Sequence, residues 1–154
     1  MKKEVVCSEE HIRVRKGISA IVFYKGERGT EYLLLRRKKN WKGWELLKGG
    51  RKTRESEDDA LKREVKEETG ESKIKVKKTK FLQEFQFQEE YAKDNKRWDA
   101  ERNRVYAVQI FTKEIRIDRR EHSGFKWVKK SDVLRLLTWP DQKQSFRKAM
   151  RKYL

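Results

Sequence analysis

KGGRKTRESEDDALKREVKEETG, residues 48–70, decides how the rest of this chain is read. It opens with paired glycines in a basic loop and closes with a helix-forming segment that stops at Gly70. Ser56 suits an N-cap, and Asp59 three residues on completes a capping-box pattern. Glu57, Asp58 and Asp59 fall in the first turn, where the helix dipole favours negative charge. Ala60, Leu61 and Val65 form the side that can face a core, and Gly70 is a natural left-handed terminator.

On such a helix Glu64, Glu67 and Glu68 stand at i, i+3 and i+4, so three carboxylates share one face. Like charges placed this way repel unless a cation neutralises them. Hard divalent ions such as Mg²⁺ or Mn²⁺ take carboxylate oxygens and tolerate phosphate and water. Arg63 can pair with Glu67 one turn on, or reach back toward Glu55, and so orient ligand carboxylates. Gly49 and Gly50 allow close backbone approach, and a carbonyl there can complete a metal site. Lys48, Arg51, Lys52 and Arg54 offer positive charge to phosphate oxygens. A charged run is ordinarily a solvated helix face. This one differs because an acidic segment, 55–71, interrupts a strongly basic chain, with carboxylates on one side and apolar residues on another.

That basic background is pronounced. The 154 residues carry a formal net charge of +17, with 44% charged and 35% hydrophobic residues. The charge favours a polyanionic partner, a nucleotide or a nucleic acid. The length fits one domain with a single sizeable core, expected to span residues 1–154. One cysteine, Cys7, excludes an intrachain disulfide and a cysteine-based zinc site. The first residues, MKKEVVCSEE, contain neither a signal-peptide pattern nor a membrane span, so a cytoplasmic protein is expected. No feature of the sequence reports an oligomeric state.

Outside the opening stretch, Ile18–Tyr24 is an almost continuous apolar run, the pattern of a strand buried on both faces. Gly26 and Gly29 mark a turn, and Tyr32–Leu35 predicts the second strand of a hairpin. A basic loop, 38–43, precedes the short run Trp44–Leu47. Strands are expected over Ile74–Phe87, with Phe81, Phe85 and Phe87 on one face, over Arg104–Phe111 and over Phe125–Val128. Gln88–Asn103 is a long polar stretch holding Tyr91 and Trp98, and loops of that length are often functional. Ser131 is expected to cap a helix bearing Val133, Leu134, Leu136 and Leu137. Pro140 suits the first position of a last helix, with Phe146, Ala149, Met150 and Tyr153 on one stripe.

The central stretch resembles the Nudix box, G-x5-E-x7-R-E-U-x-E-E-x-G-U, where U is aliphatic. Gly49, Glu55, Arg63, Glu64, Val65, Glu67, Glu68 and Gly70 match at the required spacing. Three positions depart from it: Glu71 replaces the last aliphatic, Leu47 a common proline, and Arg54 a glycine often found before the first glutamate. The resemblance implies a Nudix α/β/α sandwich with a mixed central sheet, the box (49–71) forming a loop-helix-loop. It implies hydrolysis of a nucleoside diphosphate linked to another group. Carried onto this chain, Glu64, Glu67, Glu68 and the Gly49 carbonyl become metal ligands, with Glu64 also a candidate base. Glu55 supports the site, and Arg63 orients the carboxylates.

The similarity extends beyond the box toward the diadenosine tetraphosphate hydrolase branch. It runs through the hairpin Gly17–Arg36, through Trp44-Glu45-Leu46-Leu47-Lys48-Gly49, and through Glu121-His122-Ser123 with Phe125-Lys126-Trp127-Val128. The implied reaction is asymmetric cleavage of dinucleoside polyphosphates, giving ATP and AMP from diadenosine tetraphosphate. Triphosphorylated RNA 5′ ends, ADP-ribose and other nucleoside diphosphate derivatives are alternative substrates. A non-catalytic nucleotide- or RNA-binding module would be expected to show a broken box. Glu121, in the linker before a strand, is a candidate extra ligand or base. His122 beside it could contact phosphate or hold the loop. Lys48, Arg51 and Lys52 are candidate phosphate contacts, and Tyr91 and Trp98 candidate stacking partners for a base.

Overall fold

Strict alternation divides the apolar runs between two cores, one on each face of a sheet. The computed structural model describes residues 13–86 and 100–152. In the first strand, β1 (Val14–Gly26), Ile18, Ala20 and Val22 point to one face while Ile21 and Phe23 point to the other. The hairpin partner β2 (Gly29–Arg37) does the same with Leu33 and Leu35 against Tyr32 and Leu34. A strand covered on both sides needs apolar residues at every position, which is why these segments read as continuous runs.

The order in the sheet is β3 (Gly43–Glu45), β2, β1, β6 (Ala100–Ile110) and β5 (Ile74–Gln86). Two further strands lie off this path: β4 (Leu47–Gly50) pairs with β1, and β7 (His122–Val128) pairs with β2. β1 runs parallel to β6, and the other pairings are antiparallel, so the sheet is mixed. The box helix α1 (Glu57–Thr69) covers one face with Ala60, Leu61 and Val65. The short helix α2 (Lys130–Leu136) and the last helix α3 (Pro140–Lys152) cover the other, through Val133, Phe146, Ala149 and Met150. The result is an α/β/α sandwich.

The helix ends follow from side-chain chemistry. Ser56 is the N-cap of α1, its hydroxyl accepting the Asp59 amide at 3.1 Å, and Gly70 closes the helix at φ 80°. Glu57 has a second task, accepting hydrogen bonds from Arg104 (2.9 Å) and Tyr106 (2.7 Å), which pin the helix start to β6. Ser131 does not cap α2. The N-cap is Lys129, with no side-chain hydrogen bond, and Ser131 lies exposed inside the first turn. β5 runs to Gln86, close to the expected Ile74–Phe87, whereas β6 begins at Ala100, four residues before the expected Arg104. Phe87, Tyr91, Trp98 and Tyr153 lie outside the described residues.

Candidate active site

The site is assembled where β4 meets α1. Gly49 faces the helix so closely that a Cβ built on it would collide with the Glu64 carboxylate. Only glycine lets the strand and the carboxylate share this space. Arg63 organises the surroundings. Its Nε and one Nη grip Glu55 in a bidentate pair at 2.9 and 3.0 Å, and that Nη also donates to the Gly50 carbonyl at 2.8 Å. The other Nη donates to Glu64 at 2.8 Å and reaches Glu67 at 3.5 Å. One planar guanidinium thus fixes two box glutamates and the glycine loop, geometry a lysine could not supply.

Glu55 is held in turn by the Lys52 amide at 2.9 Å. The hydrogen bonds from Arg63, then from the Lys52 backbone, keep its carboxyl down at about 2. Between them Arg54 sits at φ 66°, the left-handed region that favours glycine, which accounts for the glycine expected at this position. Glu64 is affected in the opposite sense. Burial, opposed by Arg63 but reinforced by the charges of Glu67 and Glu68, lifts its carboxyl to about 7.

Glu68 belongs to a buried chain that runs from the helix to the sheet edge. His122 is 3% exposed and lies between two carboxylates. Its Nε2 is 2.7 Å from Glu45, and its Nδ1 is 3.0 Å from Glu68, the second contact lacking hydrogen-bond alignment. Arg37 completes the chain at 3.3 Å from Glu45. Burial disfavours charge on His122, yet the hydrogen bond to Glu45 and the adjacent Glu68 carboxylate outweigh it and raise the imidazole to about 9. Burial also acts on Glu45, but His122, Lys48 and Arg37 prevail and hold it below the ordinary range. Glu68 stays above that range through burial and the charges of Glu121 and Asp118, which exceed the help from His122.

The predicted residues are therefore brought together unevenly. Glu68, Glu121 and His122 present ligand-type atoms within 4.8 Å of one another. Glu64 and Glu67 stand outside that triplet, drawn toward Arg63, and the Glu67 side chain is 46% exposed. Glu121 is fastened by its carbonyl, which accepts the Lys38 amide at 3.0 Å. His122 is buried between two carboxylates, its Nε2 against Glu45 and its Nδ1 beside Glu68. Lys48 turns to the opposite sheet face, where it lies 3.5 Å from Glu101. Arg51 is half-buried, its amide bonded to the Lys16 carbonyl, and Lys52 is exposed. Glu45 was hidden from sequence reasoning inside an apolar run; the signal was a lone carboxylate between Trp44 and Leu46.

Carboxylate oxygens of the box and of Glu121, with a buried Glu68 oxygen that has no aligned hydrogen bond, form a hard donor set. This set suits a divalent cation of the Mg²⁺ class. The NUDIX domain profile matches residues 14–149. The chain belongs to the NUDIX family. Solved structures of the family superpose on it. The *E. coli* dihydroneopterin triphosphate pyrophosphohydrolase does so with a TM-score of 0.74 at 16% identity, over 89% of this chain and 95% of that one. A *C. elegans* Ap4A hydrolase binary complex gives 0.72 at 18%, over 89% and 96%. The NUDIX domain of *Shewanella oneidensis* NrtR complexed with ADP ribose gives 0.73 at 16%, over 100% and 99%. At these identities the likeness shows the shared fold. No curated protein matches the sequence. The family and its fold make the chain a Nudix hydrolase, in which divalent metal is the general rule.

Proposed function

We propose that this hydrolase cleaves dinucleoside polyphosphates asymmetrically, as in diadenosine tetraphosphate plus water giving ATP and AMP. The observation that supports it is the intact array of Glu55, Arg63 and Glu64 around Gly49 and Gly50, in a chain with basic stretches at 36–42 and 48–54. Glu64, Glu67, Glu68 and the Gly49 carbonyl would hold Mg²⁺ or Mn²⁺, with Glu121 as a further oxygen donor. The ion supplies charge neutralisation and a water of lowered pKa.

The chain's own residues do the rest. Arg63 holds the box in register through Glu55 and Gly50, and His122 braces Glu68 from behind. Arg51 and Lys52 meet a highly charged substrate, and Glu64, poised near neutrality, is suited to accept a proton from water. Attack on one phosphorus forms a new P–O bond and breaks one anhydride bond, leaving a nucleotide on each side. Tyr91 and Trp98 are the proposed stacking residues. The enzyme is read as one cytoplasmic domain over residues 1–154; among the described residues no helix is long and apolar enough to cross a membrane.

The net charge of +17 favours one second reading, removal of pyrophosphate from triphosphorylated RNA 5′ ends. A panel of diadenosine tetraphosphate, nucleoside triphosphates, ADP-ribose and 5′-triphosphorylated RNA, assayed with Mg²⁺, separates the two. The dinucleotide should give the highest kcat/KM, with ATP and AMP as products. A large preference for RNA would overturn the first reading.

A further inference from the structure

The β3 end of the sheet carries a surface that the reaction above does not use. Three of the chain's five tryptophans gather there. Trp41 and Trp139 meet edge to face with ring centroids 5.2 Å apart, and both are only partly buried. Trp44, the central residue of β3, has two cations at its ring. The Arg36 guanidinium lies 5.5 Å from the ring centroid and the Lys126 ammonium 5.2 Å. Backbone contacts tie the tryptophans together. The Trp44 amide donates to Thr138 Oγ1 at 2.9 Å, and the Thr138 amide donates back to the Trp44 carbonyl at 3.1 Å. A Cβ on Gly43 would strike Thr138 Oγ1 and lie 2.9 Å from the Trp41 ring. The loop that carries Trp41 is fixed as well. The Lys38 and Lys39 amides share the Glu121 carbonyl at 3.0 and 3.4 Å, Arg37 donates to the Lys39 carbonyl at 3.0 Å, and Asn40 turns the chain at φ 72°. Arg36, Lys38, Lys39, Lys42 and Lys126 are left exposed, and among the described residues no ion pair engages any of them.

We propose that this edge is a docking surface for single-stranded nucleic acid, with Trp41 and Trp139 stacking on bases and the surrounding cations holding phosphates. Every base has a π-face, so aromatic rings in a basic border bind a flexible strand without reading its sequence. The charge calls for a polyanion: residues 36–42 hold five cations and no acid. An acidic peptide would use the lysines and leave the tryptophan rings idle. A duplex keeps its bases stacked on one another and offers the rings nothing. An anionic membrane selects apolar side chains that enter the acyl boundary, whereas Trp41 is packed down against Gly43 and Trp139. The partner is bound here and not cleaved, so the inference does not depend on which substrate the box hydrolyses.

The test is fluorescence anisotropy of a labelled oligo(U) of about 12 nucleotides, the order of one binding site. The probe ends in a 5′ hydroxyl and the buffer contains a chelator, so no terminal phosphate or metal draws the probe to the box. The full chain should bind with a Kd below about 100 μM at about 150 mM salt, and log K should fall with log salt by about 0.7 for each phosphate neutralised. Trp41→Leu and Trp139→Leu should each weaken binding by about tenfold while leaving the salt slope unchanged. A triple variant, Lys38→Ala with Lys39→Ala and Lys42→Ala, should instead flatten the slope by about 2. Trp139→Leu and the lysine variant keep the test open if Trp41→Leu fails to fold. Arg51→Ala combined with Lys52→Ala should leave oligonucleotide binding intact. No binding at about 100 μM, tighter binding of a duplex of equal length, unchanged affinity in a folded tryptophan variant, or a loss confined to the Arg51 and Lys52 variant overturns the proposal. Tighter binding of polyglutamate or of anionic vesicles than of the oligonucleotide also overturns it, in favour of an acidic protein or a membrane.

Discussion

Replacing Glu64 by glutamine should stabilise the metal-free protein in alkaline buffer. The Glu64 side chain is 12% exposed, against Gly49 on one side and the charges of Glu67 and Glu68 on another. Its carboxyl titrates at about 7 in the fold against 4.5 for the unperturbed group. Between those values the folded state holds a proton that the unfolded state has released, so stability falls as pH rises through this window. Linkage puts the penalty at about 1 kcal/mol near pH 5 and about 3 kcal/mol near pH 8. Glutamine keeps the shape, accepts the Arg63 hydrogen bond and never ionises. The advantage of Glu64→Gln over the wild type should therefore grow by about 2 kcal/mol between those two conditions. The His122 titration is common to both proteins and cancels in the difference.

The assay is urea unfolding at both pH values in a chelator, then with saturating Mg²⁺ or Mn²⁺. With metal the order should reverse, because the cation stabilises the ionised carboxylate of the wild type and gains less from the amide. Metal binding by the wild type near neutral pH should also release a proton, measurable from calorimetric enthalpies in buffers of different ionisation heat. A Glu64→Gln variant destabilised equally at both pH values, with no metal-dependent reversal, would refute the assignment of Glu64 as a strained carboxylate waiting for a cation.

Four other outcomes follow. Arg54→Gly should raise stability by about 1 kcal/mol in thermal unfolding, since it relieves a left-handed φ of 66° without removing a hydrogen bond that fixes the site. His122→Leu strands Glu45 and Glu68 as buried carboxylates and should cost about 3–5 kcal/mol in urea unfolding. Because the folded imidazole titrates at about 9 against 6.5, that loss should be full below pH 6.5 and shrink as pH rises through 9. Glu67→Gln, at a side chain 46% exposed, should leave stability within about 0.5 kcal/mol while abolishing turnover, and full activity would remove Glu67 from the metal set. Gly49→Ala should displace the Glu64 carboxylate and weaken Mn²⁺ binding by about tenfold or more, read by electron paramagnetic resonance.

The parts of this molecule that could be read from the chain are those fixed by local periodicity or by spacing within one element. Ser56, Gly70 and the apolar stripe of α1 are set within one helix, and β1 and β2 announce double burial by unbroken apolar runs. What escaped depends on pairing across the sheet. Glu101 and Asn103 lie at the end of a polar stretch, and nothing local says that Arg15, Gly17 and Gln83 will bury them. Glu45 joins His122 across 77 positions of sequence, a contact made only when the end of β2, Leu35–Arg37, pairs with both β3 and β7. The capping role expected of Ser131 failed for a related reason. The chain leaves β7 extended through Lys129, so the helix begins two residues earlier than the serine requires.

The double glycine gains a more specific meaning from its place on β4. Successive residues of a strand face opposite sides, so Gly49 and Gly50 answer to different neighbours. Gly49 yields to the Glu64 carboxylate on the helix side, and Gly50 yields to Arg15 on the other. Lys48 shares the Gly50 side, opposite Ser19, while Leu47 enters the core beneath α1. One four-residue strand thus borders the hydrolytic carboxylates with one face and the buried polar row of Asn103 and Gln83 with the other. A one-residue slip of β4 would send Lys48 into the box and Gly49 into that row, damaging both at once. Its register is held by the Arg63 bond to the Gly50 carbonyl, the Arg51 amide on Lys16 and the Leu46 amide on Gln142. The box arginine, beyond orienting carboxylates, is therefore one of the clamps that keep the box and the buried polar row on their own sides of the sheet.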